Sequence, residues 1–148
     1  MTPELLFSIT STGAMLSWLL LVLLPGRPWV TRWLSGFAVP ALLATVYVAL
    51  IATQWGSSQG GFSTLVGVAQ LFANPWLLLA GWVHYLCFDL LIGCWEVRDA
   101  RDRGLPHLLV VPCLLLTFMF GPAGWLLYRA VSSLKSPRPI PSSQNERL

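Results

Sequence analysis

Four side chains able to exchange protons lie inside one long apolar segment: His84, Tyr85, Asp89 and Glu96. An ionisable group inside a segment that crosses a membrane costs free energy, so each is a candidate for function. Imidazole, phenol and carboxyl groups favour general acid–base catalysis. We therefore predict these four residues as the catalytic candidates.

Helical spacing, at about 100° per residue, places five residues of this segment on one narrow face: Trp82, Tyr85, Asp89, Gly93 and Glu96. We expect this face to point into the helix bundle, with Glu96 near the membrane edge and open to solvent. His84 lies about 140° away from Asp89 around the same helix, so the two do not form a same-face pair.

We predict a substrate pocket beside this face, lined by Trp82, Gly93, Thr117 and Tyr128. Gly93 would leave room for a ligand or for a neighbouring backbone. The alternative for Asp89 is a purely structural hydrogen bond to another helix. The partners expected in that case are Ser8, Thr10 and Thr12.

The stretch from Arg98 to Arg103 alternates in charge. One interpretation is a solvated helix end whose charges pair locally. The other is a gate over the pocket, formed by Arg98, Asp99 and His107. The same region raises the question of a mixed nitrogen and oxygen metal site, with His84, Asp89, Glu96 and His107 as the available ligands.

No H-E-x-x-H or Glu-x-x-His pair supports such a metal site, and we predict neither metal nor cofactor. Phosphate-loop, dinucleotide and nucleophile-elbow motifs are absent as well. The three cysteines lie in apolar runs without C-x-x-C spacing, which is typical of packing residues. The net charge of +3 is too small to indicate a nucleic-acid partner.

Composition predicts the fold class. Charged residues make up only 10% of the chain and its mean hydropathy is +0.67, values that fit a lipid-facing surface. We predict an all-α, polytopic membrane protein with four transmembrane helices in one domain, residues 1–134, followed by a disordered tail, residues 135–148. The expected spans are about 5–24, 34–52, 75–97 and 108–131.

Local signals refine these boundaries. Asn74 and Pro75 are a typical helix start, and Gly121-Pro122 predicts a kink or break inside the fourth span. Residues 62–73 are too short to span, which favours an interfacial helix or an ordered loop. Four spans divide the basic residues five against four between the two sides, so orientation stays undecided.

The run NPWLLLAGWVHYLCFDLLIGCWEVRDARDRGLPH, followed by PCLLLTFMFGPAGWLLY, resembles the abscisic-acid-deficient-4-like family. The resemblance covers roughly residues 74–128; over the first two spans only the hydropathy and the layout are similar. The features that carry it are Asn74-Pro75, Gly81-Trp82, His84-Tyr85, Phe88-Asp89, Gly93, Arg98-Asp99, His107, Pro112, Thr117, Gly121-Pro122 and Tyr128.

Plant members of this family are four-span chloroplast membrane proteins needed to make neoxanthin from violaxanthin. The resemblance therefore implies a carotenoid or similar polyene lipid, and a redox-neutral isomerisation that opens an epoxide as a proton leaves the neighbouring carbon. It would use Asp89 as base and Tyr85 or His84 as acid. No transit peptide is visible, which favours a bacterial member in the inner membrane.

Three functions follow as hypotheses. The first is a membrane isomerase, or the helper of one, acting on a carotenoid or another apolar lipid. The second is a non-catalytic scaffold that binds a membrane enzyme. The third is a small transporter or channel with Asp89 and Glu96 along its path, which requires a homo-oligomer because so few helices enclose a narrow path. All three have the lipid bilayer as a partner.

Overall fold

The computed structural model describes residues 1–135, and all of its regular structure is helical. Residues 136–148 of the predicted tail lie outside the described part of the chain. The elements are α1 (Pro3–Leu23), a π-helical segment (Trp29–Ala38) that continues into α2 (Val39–Gln54), a short 3₁₀ turn (Trp55–Ser57), α3 (Leu65–Phe72), α4 (Pro75–Asp102), α5 (His107–Phe120) and α6 (Pro122–Ser132).

Side-chain caps fix where several helices begin. The Asn74 carboxamide oxygen accepts the N–H of Trp76 at 2.9 Å, and Pro75 occupies the first turn of α4, as the sequence predicts. The Thr64 hydroxyl accepts the N–H of Gly67 at 3.0 Å and starts α3. The stretch 62–73 therefore contains a short helix and is not simply a loop.

The second span begins earlier than its apolar residues indicate. Helical structure runs from Trp29 to Gln54, 26 residues, instead of starting at residue 34. Its first ten residues have π-helical hydrogen bonding, and Pro40 follows directly, at the point where the helix changes to α-helical hydrogen bonding. The polar Arg32 belongs to the helix, so an estimate from hydropathy alone is too short.

Helix α4 is the central element of the bundle. It packs against α1, the π-helical segment, α2 and α5, and it is the most heavily buried of the long helices. One apolar cluster joins it to α1, α5 and α6, and a second joins it to α1 and α2. The helix continues five residues past the predicted end of the third span at residue 97, through the charged stretch to Asp102.

The predicted fourth span, 108–131, is wrong because this stretch does not form one continuous helix. The chain turns back on itself at Gly121. The Lys135 ammonium group donates to the carbonyl of Gly104 at 3.2 Å, so α6 ends beside the point where α5 begins. Helices α5 and α6 have 14 and 11 residues, or about 21 and 17 Å, which is short of the roughly 30 Å apolar core of a bilayer. They form a helical hairpin.

Three helices of the described chain are therefore long and apolar enough to cross a membrane: α1, the π-helical segment with α2, and α4. The hairpin enters and leaves on one side. Its non-helical turn is packed against α4, which is the condition under which irregular backbone is tolerated at membrane depth. The sequence predicted the break at Gly121-Pro122 but not the reversal of direction.

This topology redistributes the basic residues. The chain has nine Lys and Arg residues, of which Arg138 and Arg147 lie outside the described part. The other seven all lie at the end of the bundle where α1 ends and α5 begins: Arg27, Arg32, Arg98, Arg101, Arg103, Arg129 and Lys135. The positive-inside rule therefore favours a cytoplasmic location for this basic end.

Labelling of single added cysteines tests the topology. With three spans, Thr2→Cys and Leu134→Cys lie on opposite sides of the membrane, whereas four spans would put them on the same side. We expect a membrane-impermeant maleimide to label Thr2→Cys in intact cells and to label Leu134→Cys only after lysis. The wild-type chain is the background control because Cys87, Cys94 and Cys113 are buried. Labelling of both positions in intact cells would contradict the hairpin.

Candidate functional site

A row of polar side chains on α4 faces the α5–α6 hairpin. We call Tyr85, Asp89, Glu96 and Asp99 the polar column. All four members lie against the hairpin, and spacings of three, four or seven residues keep them on one side of α4. The column begins near the middle of the bundle and ends at the basic end.

Tyr85 and Asp89 meet the turn of the hairpin. The Tyr85 hydroxyl donates to the carbonyl of Phe118 at 3.0 Å, in the last turn of α5. Asp89 is only 6% exposed, and a Cβ atom added to Gly121 would lie 2.8 Å from its Oδ1. Oδ2 of Asp89 has no hydrogen-bond partner within residues 1–135. Asp89 is therefore a buried carboxyl group that the described structure leaves partly unsatisfied.

Glu96 meets the outgoing arm of the hairpin. Its side chain is fully buried, and the Thr117 hydroxyl lies 3.0 and 3.2 Å from its two carboxylate oxygens. Gly124 makes this contact possible, because a Cβ atom there would lie 2.2 Å from the Thr117 hydroxyl oxygen. The expectation of a solvated Glu96 is wrong, since the hairpin covers this level of α4.

Asp99 meets the returning arm. The buried Tyr128 hydroxyl and the Arg103 Nε both donate to its Oδ2 at 2.6 Å. Trp95 packs edge-on against the Tyr128 ring, with the centroids 5.5 Å apart. The hydrogen bond to Asp99 raises the pKa of the Arg103 guanidinium. This end of the polar column is a satisfied network that holds α6 to α4.

An apolar groove between α1 and α4 leads to Tyr85. Its inner part has a volume of about 550 Å³ and is lined by Phe7, Ser8, Ser11, Thr12, Met15, Trp82, Tyr85, Leu86, Phe118 and Met119. Its outer part, of about 430 Å³, is lined by Pro3, Glu4, Phe7, Ser8, Pro75, Leu78, Leu79 and Trp82. Three shared residues join the two parts into one groove that runs from the end of the bundle opposite the basic end to its middle.

Trp82 forms one wall of this groove. Its indole N–H donates to the Ser11 hydroxyl at 2.9 Å, and its ring stacks on Tyr85 with a centroid separation of 5.5 Å. Phe7 lies 5.5 Å from the same ring. Trp82 therefore lines the groove, and contacts with side chains of both α1 and α4 hold its ring in place.

His84 does not join this site. Its ring packs 5.4 Å from Tyr47 on α2 and 4.6 Å from Phe88, and it lines a separate cavity of about 280 Å³ under α3. Gly93 is close to the polar column, but the space beside it is not open to a ligand. The Trp18 ring fills that space, and a Cβ atom at Gly93 would lie 2.4 Å from the ring.

The predicted gate residues hold separate contacts. Arg98 donates to the carbonyl of Thr31 at 2.8 Å, and Nε2 of His107 lies 2.8 Å from the carbonyl of Val22. Of the predicted gate residues, only Asp99 pairs with an arginine, and that partner is Arg103. Within residues 1–135 no three His, Cys, Asp or Glu side chains come together in an arrangement that could hold a metal ion.

Two of the three partners suggested for Asp89 on α1, Ser8 and Thr10, are engaged elsewhere. Ser8 and Thr10 donate to carbonyls of their own helix, Glu4 at 3.0 Å and Leu6 at 2.8 Å. The sequence analysis missed Trp18, Ser11 and the carbonyl of Phe118 as neighbours of the site. Of these, only Trp18 carried a signal, as a large aromatic residue in a stretch otherwise rich in small and aliphatic residues.

A protein-family model described as ABA DEFICIENT 4-like matches residues 5–128, most of the chain. The chain belongs to the ABA DEFICIENT 4-like family. The matched region contains the whole polar column and both hairpin residues, Thr117 and Tyr128, that bond to it. No curated protein and no solved structure matches the chain. The family assignment thus agrees with the resemblance seen in the sequence.

Replacing the turn glycine tests how the hairpin meets Asp89. Gly121 has φ of +40°, and Gly121→Ala would add both backbone strain and a contact with the carboxyl group. We expect a loss of about 1–3 kcal/mol in stability, measured by thermal unfolding in detergent. Gly13→Ala is the matched control, because no atom lies within 4 Å of its added Cβ. Equal stability of the two variants would contradict the tight turn.

Removing one hydroxyl tests the buried Glu96. Thr117→Val keeps the shape of the side chain but leaves both Glu96 oxygens without their donor, which should destabilise the protein by about 1–3 kcal/mol. The control is Thr45→Val, since the exposed Thr45 bonds only to its own helix at the carbonyl of Ala41. Denaturation in mixed micelles provides the measurement, and a neutral Thr117→Val would show that Glu96 does not depend on this bond.

Proposed function

We propose that this member of the ABA DEFICIENT 4-like family binds a long apolar lipid in the α1–α4 groove and that Tyr85 and Asp89 move protons at the inner end of that lipid. One observation carries the proposal: the groove ends at Tyr85, and one helical turn beyond lies a buried carboxyl group with an unpartnered oxygen. Unsatisfied buried groups require an explanation, and a bound substrate is one.

The shape and lining of the groove favour a polyene or a similar lipid. Its walls are mainly apolar, and Phe7, Trp82, Tyr85 and Phe118 provide aromatic surface along its length. Its polar groups are few: α1 supplies the hydroxyls of Ser8, Ser11 and Thr12 and the Glu4 carboxyl group, and α4 supplies the Tyr85 hydroxyl and the Trp82 indole. Such a site suits an elongated molecule with a small polar end group, the class to which carotenoids belong.

The chemistry that fits this pair is a redox-neutral isomerisation. A proton leaves a chain carbon of the substrate for the Asp89 carboxylate, while the Tyr85 hydroxyl gives its proton to an epoxide oxygen as the carbon–oxygen bond breaks. Return of the proton from Asp89 to the Tyr85 oxygen restores both groups. Atoms and electrons then balance without a co-reactant, and the product is an isomer that carries a new hydroxyl.

His84, Glu96 and Asp99 have no part in this proposal. His84 lies on another face, and the two carboxyl groups are bonded to Thr117 and Tyr128. These bonds favour a structural role for that half of the polar column. They also count against a transporter, whose path would need those carboxyl groups free for its cargo. We also propose a bacterial inner membrane as its location, which the three long apolar helices support only as far as a membrane.

A second candidate is a non-catalytic scaffold for a membrane enzyme. The observation that favours it is the hydrogen bonding of Glu96 to Thr117 and of Asp99 to Tyr128, which supports a structural role for these two acids. The two candidates differ at Asp89. A scaffold tolerates Asp89→Asn without change in any bound lipid, whereas an isomerase does not.

Solvent extraction of the purified protein tests lipid binding. We expect absorbance and mass spectrometry of the extract to show a stoichiometric apolar lipid. Ser11→Phe should remove it because the added ring fills the groove. Thr45→Phe adds the same aromatic ring on an exposed face of α2, outside the groove, and should retain the lipid. An empty extract from well-folded wild-type protein would contradict lipid binding.

The same extracts test proton transfer. Asp89→Asn and Tyr85→Phe should retain a lipid of unchanged mass but in its unreacted isomeric form, which chromatography separates from the wild-type product. Tyr47→Phe, a tyrosine outside the groove, should match the wild type. If the isomer composition is identical in wild type and both site variants, the protein binds the lipid without converting it.

A further inference from the structure

A polar cavity of about 160 Å³ lies at the basic end, between the π-helical segment and the last turns of α4. It is lined by Pro28, Thr31, Arg32, Arg98, Arg101 and Asp102, and we call it the basic pocket. Three guanidinium groups therefore face one acid. The pocket is separate from the groove and from the polar column, and the proposed chemistry does not use it.

Backbone carbonyls hold two of these arginines in place. Arg98 donates to Thr31 at 2.8 Å and Arg101 donates to Pro25 at 3.4 Å. Gly36 leaves the space for the first bond, since a Cβ atom there would lie 3.2 Å from the Arg98 Nη1. Each bond uses one N–H group of a guanidinium that carries five, so most donors remain available to a ligand.

None of the three arginines of the basic pocket forms an ion pair with a carboxylate of the described chain. Within residues 1–135 the only ion pair closer than 4.0 Å joins Arg103 to Asp99, and neither residue lines this cavity. Asp102 lines the pocket without pairing with any of its three arginines. The basic pocket thus retains a positive charge that like-charge repulsion makes unfavourable unless an anion is present.

The position of the pocket indicates where such an anion comes from. Trp29 and Trp33 directly follow the pocket residues Pro28 and Arg32 in the chain and are 52% and 70% exposed. Exposed tryptophans beside arginines are typical of the interface between lipid tails and water, where phospholipid headgroups lie. The cavity volume is about five times that of a water molecule in the liquid, enough for a phosphate group.

We infer that the basic pocket binds the phosphate of an anionic phospholipid from the leaflet at the basic end of the bundle. Planar guanidinium groups match phosphate oxygens in paired hydrogen bonds. The positive charge of three such groups favours a headgroup with a net negative charge over a zwitterionic one. Asp102 lies where it weakens this attraction. The bound lipid would join the start of the second helix to the end of α4, beside the hydrogen bond from Arg98 to the carbonyl of Thr31.

Native mass spectrometry of the detergent-solubilised protein with added phosphatidylglycerol tests the inference. We expect each of Arg32→Gln and Arg101→Gln to weaken lipid binding about fivefold, and Asp102→Asn to strengthen it by a similar factor. The matched control is Arg27→Gln, which removes the same charge from the same end of the bundle but does not line the pocket. Phosphatidylcholine, which has a phosphate but no net charge, should bind no more tightly to wild type than to the variants.

Two results would overturn the inference. If Arg27→Gln and Arg101→Gln weaken the binding of phosphatidylglycerol equally, only the overall charge of the protein attracts the lipid. Competition by inorganic phosphate at millimolar concentration, without preference for phosphatidylglycerol over phosphatidylcholine, would assign the pocket to a soluble phosphate. Circular dichroism of each variant shows whether the fold survives, and the strengthening by Asp102→Asn has no explanation in misfolding.

Discussion

The hydrogen bond between Thr117 and the fully buried Glu96 is the constraint on which the rest of this bundle depends. A carboxyl group with no exposed surface needs a partner, because leaving it without one costs more free energy than the bond itself returns. Thr117 lies on the outgoing arm of the hairpin and Tyr128 on the returning arm, yet they reach Glu96 and Asp99, within one turn of α4. Only a chain that reverses between them can do both.

That reversal separates Asp89 from the other acids of the polar column. The turn must pass close to α4, and Gly121 is the residue that permits it, with a positive φ and no side chain to displace the Asp89 carboxyl group. The backbone N–H of the turn is already bonded within the hairpin, since the Gly121 N–H donates to the carbonyl of Thr117 at 2.8 Å. It is therefore not available to Asp89. Asp89 therefore lies against the hairpin without a donor from it, and this gives it a different chemical character from Glu96 and Asp99.

The sequence predicted the helical class, the cap at Asn74, the break at Gly121 and the inward face of α4, because each depends on local spacing or on a local backbone preference. It could not predict the hairpin, since hydropathy measures apolar length and carries no information on direction. The burial of Glu96 and the pairing of Asp99 with Tyr128 depend on contacts 21 and 29 residues apart. The sequence indicates that His84 and Asp89 lie on different faces of α4, but not that the His84 ring packs against Tyr47 of α2.

The topology also determines which leaflet each site meets. The α1–α4 groove opens between Pro3 and Pro75, at the end where α1 and α4 begin, while the basic pocket lies at the other end of the same α4. A lipid in the groove would enter from the leaflet opposite the basic end, with its inner end reaching Tyr85 near mid-membrane. A phospholipid in the basic pocket would come from the other leaflet. Because α4 is rigid and shared, the two lipids could occupy the bundle together without competing, and the hairpin between them would keep water from the basic end away from Asp89.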